Sequence, residues 1–136
     1  MSAKDIVKAF YESDIANDVD IVSKYFHRDC ELHWTSSQGF DLLGYKELEL
    51  FFKGTRQSFE SVRFEFTHFI EANNFVTTRH TLFGFTIEDP DIESIIAHFT
   101  AIWEVKEGKL FRGYEISHQV NENDETSMAS YKEIKL

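Results

Sequence analysis

The chain has one cysteine (Cys30), one proline (Pro90) and two methionines in 136 residues. A single cysteine excludes an intrachain disulfide and removes the Cys clusters that structural zinc and iron–sulfur centres need. It agrees with a reducing, cytoplasmic location, which is the expectation here. No window approaches the ~20 consecutive apolar residues of a membrane-spanning helix. Residues 1–10 show neither a long apolar run nor a small-residue cleavage site, so no signal peptide is read there. Positive charge is also scarce: 14 Lys and Arg stand against 24 Asp and Glu, a formal net charge of −10. Such a surface repels phosphate backbones and anionic lipid, so nucleic acid and membranes are not expected partners.

Aromatic side chains are abundant, with 14 Phe and 15% aromatic residues overall. So much Phe in a chain of single-domain length implies a thick aromatic core or an apolar cavity. One domain over residues 1–120 and a polar, mobile tail over 121–136, with room for a short terminal element at 131–136, are expected. Ile6, Val7, Phe10, Tyr11 and Ile15 recur at helical spacing, and the spacing predicts a helix over 4–17, with Ser2 as N-cap and Asp5 as its box partner. A second short helix is read over 18–26, and a strand over 30–34 that turns Cys30, Leu32 and Trp34 to one face; the Cys30 thiol is read as inert and buried. Residues 35–44 are polar and glycine-bounded, a loop, and a third helix follows over 45–59.

From Val62 the period changes to two. Strands are predicted over 62–70, 75–87, 94–105 and 109–118, with turns at Asn73-Asn74 and Lys106-Glu107-Gly108 and a break around Pro90. Helices followed by a meander imply α+β, with helices on one face of an antiparallel sheet. Pairing Val105 with Leu110 sets Trp103 against Arg112, Ala101 against Tyr114 and Ala97 against His118. Pairing Ile70 with Val76 sets His68 against Thr78 and Phe66 against His80, and His80 is laid beside Ala101. In that register the hairpin over 95–118 floors a pocket, left shallow by Ala97, Ala101 and Gly84 and ringed by His80, Tyr114 and His118. The opposite face carries Phe69, Phe83, Phe85, His98, Thr100 and Ile102. That face is too apolar for solvent, and a second subunit is expected to cover it, giving a homodimer through the outer sheet face.

Two N-terminal helices, the Gly44-Tyr45 helix start, Gly84 in the strand after the long hairpin and Glu107-Gly108-Lys109-Leu110 at the last turn, in this order, resemble the SnoaL-like polyketide cyclase group of the nuclear transport factor 2-like superfamily. The resemblance covers roughly residues 4–118. It implies a cystatin-like cone, in which N-terminal helices pack in a strongly curved antiparallel sheet that encloses an apolar pocket, and dimers through the sheets. It also implies an acid/base Asp at the end of the last strand, a position matched here by His118.

The candidate catalytic residues are therefore His118 and His80, with a His able to transfer protons near neutral pH. The candidate ligand-binding residues are Trp34, Phe66, His68, Trp103, Tyr114 and Arg112. His68, His80 and His118 lie on different rows without an acidic partner, so no metal and no cofactor is expected. Arg112 either captures an anion at the pocket mouth or pairs with a Glu. Two functions stay open: proton transfer on an apolar, carbonyl-bearing small molecule, of isomerase, cyclase or hydrolase type, or a non-catalytic ligand-binding or dimeric interaction module.

Overall fold

In a computed structural model the structure describes residues 1–120 and 126–132. The elements run α1 (Ala3–Glu12), α2 (Ile21–Tyr25), β1 (Phe26–Ser36), β2 (Gly39–Leu43), α3 (Tyr45–Ser58), β3 (Phe59–Ala72), β4 (Phe75–Thr86), β5 (Ser94–Lys106), β6 (Lys109–Gln119) and α4 (Met128–Lys132). The strands form one curved, unclosed sheet in the order β2-β1-β6-β5-β4-β3. All neighbours are antiparallel except β1 and β6, which run parallel. This is the α+β class that the sequence pattern implies and the cone that the resemblance implies.

The Ser2–Asp5 capping box forms as spelled. The Ser2 hydroxyl accepts from the Asp5 N–H at 3.1 Å, and the Asp5 carboxylate accepts from the Ser2 N–H at 3.3 Å. The helix ends at Glu12, short of residue 17, because Ser13 turns extended and sends both its N–H and its hydroxyl back to the Phe10 carbonyl. Val7, Phe10 and Tyr11 of α1 are buried against the concave side of the sheet. Around Phe10 the rings of Tyr25, Phe26, Phe52 and Trp103 stand at edge-on angles with centroids 5.2–6.4 Å apart. That geometry adds about 0.5–1.5 kcal/mol per pair beyond area burial.

Two expectations are corrected. Residues 35–44 are not simply a loop: the chain turns at Ser37-Gln38, Gly39 takes φ +122°, and β2 pairs back on β1. The strand is short and exposed at the sheet edge, so Phe40 and Leu42 are too few to signal it against the polar, glycine-bounded residues around them. The described part of the tail is packed rather than free. Ser127 bonds His98 Nε2 at 2.9 Å, Tyr131 stacks on the His98 ring at 3.8 Å, and Arg79 lies over Tyr131 at 3.8 Å. Residues 121–125 and 133–136 of the expected tail lie outside the described residues.

The decisive correction is in register. Val105 pairs with Leu110 as expected, but a bulge at Phe111 then slips β6 by one residue. Trp103 faces Gly113, Ala101 faces Glu115, Phe99 faces Ser117 and Ala97 faces Gln119. Because side chains alternate, the slip exchanges the two faces of β6. The cause is local: a Cβ at Gly113 would sit inside the Trp103 ring, so only glycine lets that indole lie flat on the strand. Gly113→Ala is expected to destabilise the fold by about 1–3 kcal/mol, the range for forcing carbon into a filled core, read as a lowered Tm. An unchanged Tm would show that Trp103 swings aside freely.

On β3 and β4, Phe66 faces His80 and Phe64 faces Leu82 as expected, while a bulge near Thr67 sets His68 against Arg79 and Ile70 against Thr77. His80 lies beside Phe99 rather than Ala101, a two-residue shift that keeps its face. The same bulge carries Phe69 into the core, so it is not part of the outer face.

Candidate functional site

The cone encloses a cavity of about 480 Å³ between α1, α3 and the concave side of the sheet. Its walls are aromatic and aliphatic, with Phe10, Phe26, Phe52, Phe64, Phe99 and Trp103 among the lining residues. The exposed Ser37, Gln38, Asp41 and Gln119 mark the mouth. Trp34 stands between mouth and depth, its indole N–H donating to Ser117 Oγ at 2.8 Å and its ring edge-on to Phe51 at 5.3 Å. Ala97 lines the wall as a small residue.

Three polar groups line the cavity: Glu115, His80 and Tyr11. Glu115 reaches the cavity from β6, beside Ala101, whose small side chain leaves room for the carboxyl. Among the described residues no hydrogen bond or ion pair reaches that carboxyl, and burial in apolar surroundings pushes its pKa up to about 7. His80 is 1% exposed. Its Nδ1 lies 3.1 Å from Thr78 Oγ1, while Nε2 has no partner among the described residues and opens to the cavity. Desolvation lowers the imidazole to about 3, so His80 is neutral near pH 7 and a weak proton acceptor there. Tyr11 accepts from Trp103 Nε1–H at 2.9 Å, and burial, then the Glu115 charge, raise its pKa above the ordinary range.

Of the residues expected at the site, His80, Trp34 and Trp103 line the cavity. Phe66 stands one layer behind, edge-on to Tyr11 at 5.1 Å and packed on His80 at 5.0 Å. His68 is bonded to the Thr67 hydroxyl at 2.9 Å and does not line it. The bulge turns Arg112, Tyr114 and His118 to the convex face. Arg112 meets Glu31 at 3.5 Å and the Asp29 carbonyl at 2.7 Å, Tyr114 stacks on His33 at 4.9 Å, and His118 is exposed opposite His98. The pocket positions assigned to these three are corrected accordingly. Glu115, Ser117, Gln119, Tyr11 and Asp41 were not anticipated, and for Glu115 the available signal was the interior glycine two residues earlier. Cys30 is buried, and desolvation pushes its thiol up to about 11.

An open sheet wrapped on helices around an apolar cavity defines the α+β cone class of folds. The chain belongs to the SnoaL-like domain family, whose pattern matches residues 7–113. No curated protein sequence matches the chain. Among solved structures it is similar to wild-type IdmH from Streptomyces antibioticus, described as a candidate polyketide cyclase, with TM-score 0.68 and 14% identity over 96% of this chain and 98% of that one. It is similar to an NTF2-like protein of unknown function from Burkholderia pseudomallei, with TM-score 0.61 and 18% identity over 96% and 98%. It also resembles an LEH-like epoxide hydrolase from M. tuberculosis, with TM-score 0.61 and 18% identity over 85% and 81%. At these identities the likeness carries the fold alone. Among the described residues no helix is long and apolar enough to cross a membrane.

Proposed function

We propose that the cone holds a small, apolar, carbonyl-bearing molecule and moves a proton on it, with Glu115 as the acid/base. The observation behind this reading is the Glu115 carboxyl, without a partner among the described residues, in an apolar cavity, held near pH 7 by burial. A group poised there serves both directions of proton transfer at neutral pH. The cavity carries Asp41 and Glu115 but no Lys or Arg, so the substrate is neutral rather than anionic. The polyketide cyclase and epoxide hydrolase descriptions of similar folds fit small-molecule chemistry of this kind. The test needs no knowledge of the natural substrate. In D₂O the protein should accelerate exchange of the protons α to the carbonyl of 2-tetralone, followed by NMR. Saturable binding of 2-tetralone with no acceleration would instead favour the non-catalytic ligand-binding module.

We also propose that a second copy covers the convex face. Two rows cross β5, β6, β1 and β2 there: Ile102, Tyr114, His33 and Leu42, then Thr100, Ile116, Thr35 and Phe40. Ile116 is 66% and Phe40 59% exposed. The rows contain no carboxylate, and in a chain of charge −10 such a patch is where two copies meet with least repulsion. Of the face first expected to be covered, Phe83 lies under Arg63 at 4.2 Å and His98 under Tyr131, so the proposed contact shifts toward β6 and β1. Sedimentation should give a dimer at micromolar concentration and a monomer for Ile116→Lys. A wild-type monomer would contradict the contact.

A further inference from the structure

His80 is neutral and its Nε2 faces the cavity, so what it offers a ligand depends on which ring nitrogen holds the hydrogen. The surrounding groups decide that. Trp103 Nε1 only donates, and it donates to Tyr11 Oη at 2.9 Å. The Tyr11 hydrogen must therefore point elsewhere, and the Thr78 hydroxyl stands next to it. Thr78 Oγ1 in turn lies 3.1 Å from His80 Nδ1. One direction serves every group: Trp103 donates to Tyr11, Tyr11 to Thr78, and Thr78 to Nδ1. The reverse direction would spend the Thr78 hydrogen on Tyr11 Oη, which already accepts from Trp103, and leave the Tyr11 hydrogen without an acceptor among the described residues. Thr78 and His80 share a face because they are two apart on β4. The ring cannot turn over easily, since Phe99 stacks on it at 5.1 Å and 8° while Tyr11, Phe64 and Phe66 pack around it at 4.9–5.5 Å.

We propose that His80 is a second catalytic residue, a neutral Nε2–H donor to the substrate's carbonyl oxygen, and that Thr78, Tyr11 and Trp103 are positioning residues that hold it in that tautomer. This rests on the proton-transfer reading of Glu115 and completes it. The Glu115 carboxylate takes a proton from the carbon α to the carbonyl, and the C–H electron pair moves onto the oxygen. The Nε2–H stabilises the enolate charge without giving up its hydrogen, and the Glu115 carboxylic acid returns the proton to carbon. Charge developing on the oxygen meets a donor already in place. Glu115 stands one row over from His80 on the same face, in the row of Thr78 and Ala101, and both Glu115 and His80 line the cavity.

The test joins long-range ¹H–¹⁵N spectra of the imidazoles with 2-tetralone exchange. Wild-type His80 should carry its hydrogen on Nε2 across pH 5–8, and that hydrogen's resonance should move on saturation with 2-tetralone. Thr78→Val should shift the tautomer toward Nδ1–H and slow exchange by roughly 100-fold, the cost of a misplaced oxyanion donor. Thr78→Ser, which keeps the hydroxyl, should restore both. An Nδ1–H tautomer in the wild type, or a folded Thr78→Val protein that exchanges at the wild-type rate, overturns the proposal. If the wild type exchanges nothing, the Glu115 reading fails separately. The Nε2–H resonance then decides the donor role: movement with 2-tetralone upholds it, and no movement at saturation overturns it.

Discussion

Glu115→Gln is expected to slow α-proton exchange of 2-tetralone by roughly 10²–10⁴-fold, the contribution of a positioned acid/base. Glutamine keeps the size and polarity of the side chain and removes its ability to take a proton. The wild-type rate should rise with pH as the carboxyl ionises and level off above about 7, the value to which burial pushes Glu115. The direction follows from the role: the base form is the carboxylate, so activity is lost on the acid side. The Glu115→Gln protein should show a low rate without that step. Glu49→Gln, on the exposed side of α3 and away from the cavity, offers a control expected to leave the profile unchanged. A Glu115→Gln protein as fast as the wild type would mean that solvent or another carboxylate does the chemistry.

That result would rest on a residue the sequence pattern hides. Alternation along β5 and β6, carried from the turn at Glu107 and Gly108, points Arg112, Tyr114 and His118 inward, and one extra residue at Phe111 reverses all three. Alternation is a relative signal: it says that residues 113, 115 and 117 share a face and leaves open which face, so it cannot see a bulge. Gly113 did carry the missing information. An interior glycine in a strand marks a close approach, and the approaching group is the Trp103 indole. The helices were more legible because capping and periodicity are local. The Ser2–Asp5 box and the Val7, Phe10 and Tyr11 face follow from residues within one or two turns of each other. His80 kept its inward direction because the error beside it was two residues, a full period of the strand. β2 and α4 stayed hidden because their contacts lie far away in sequence or on an exposed edge.

The second large effect is on stability, and it separates Glu115 from His80 by pH. Glu115 has a folded pKa of about 7 against an ordinary 4.5, so the folded state binds its proton more tightly than the unfolded chain does. Its contribution is fully present below pH 4.5 and is lost as pH rises through about 7. At ~1.36 kcal/mol per pKa unit the loss is at most about 3–4 kcal/mol, an upper bound because part of the side chain faces the open cavity. Glu115→Gln, which cannot ionise, should then melt higher than the wild type at pH 8, by on the order of 10 °C, and close to it near pH 4. His80 works in the opposite sense. Its folded pKa of about 3 lies below the ordinary 6.5, so its contribution is present above 6.5 and is lost as pH falls toward 3. Both proteins should therefore lose stability in acid, while only the wild type carries the alkaline penalty. Thermal melts of the two between pH 4 and 9 check this directly. Parallel curves would show that the Glu115 carboxyl titrates as it does in water, and the burial that poises it for proton transfer would not hold.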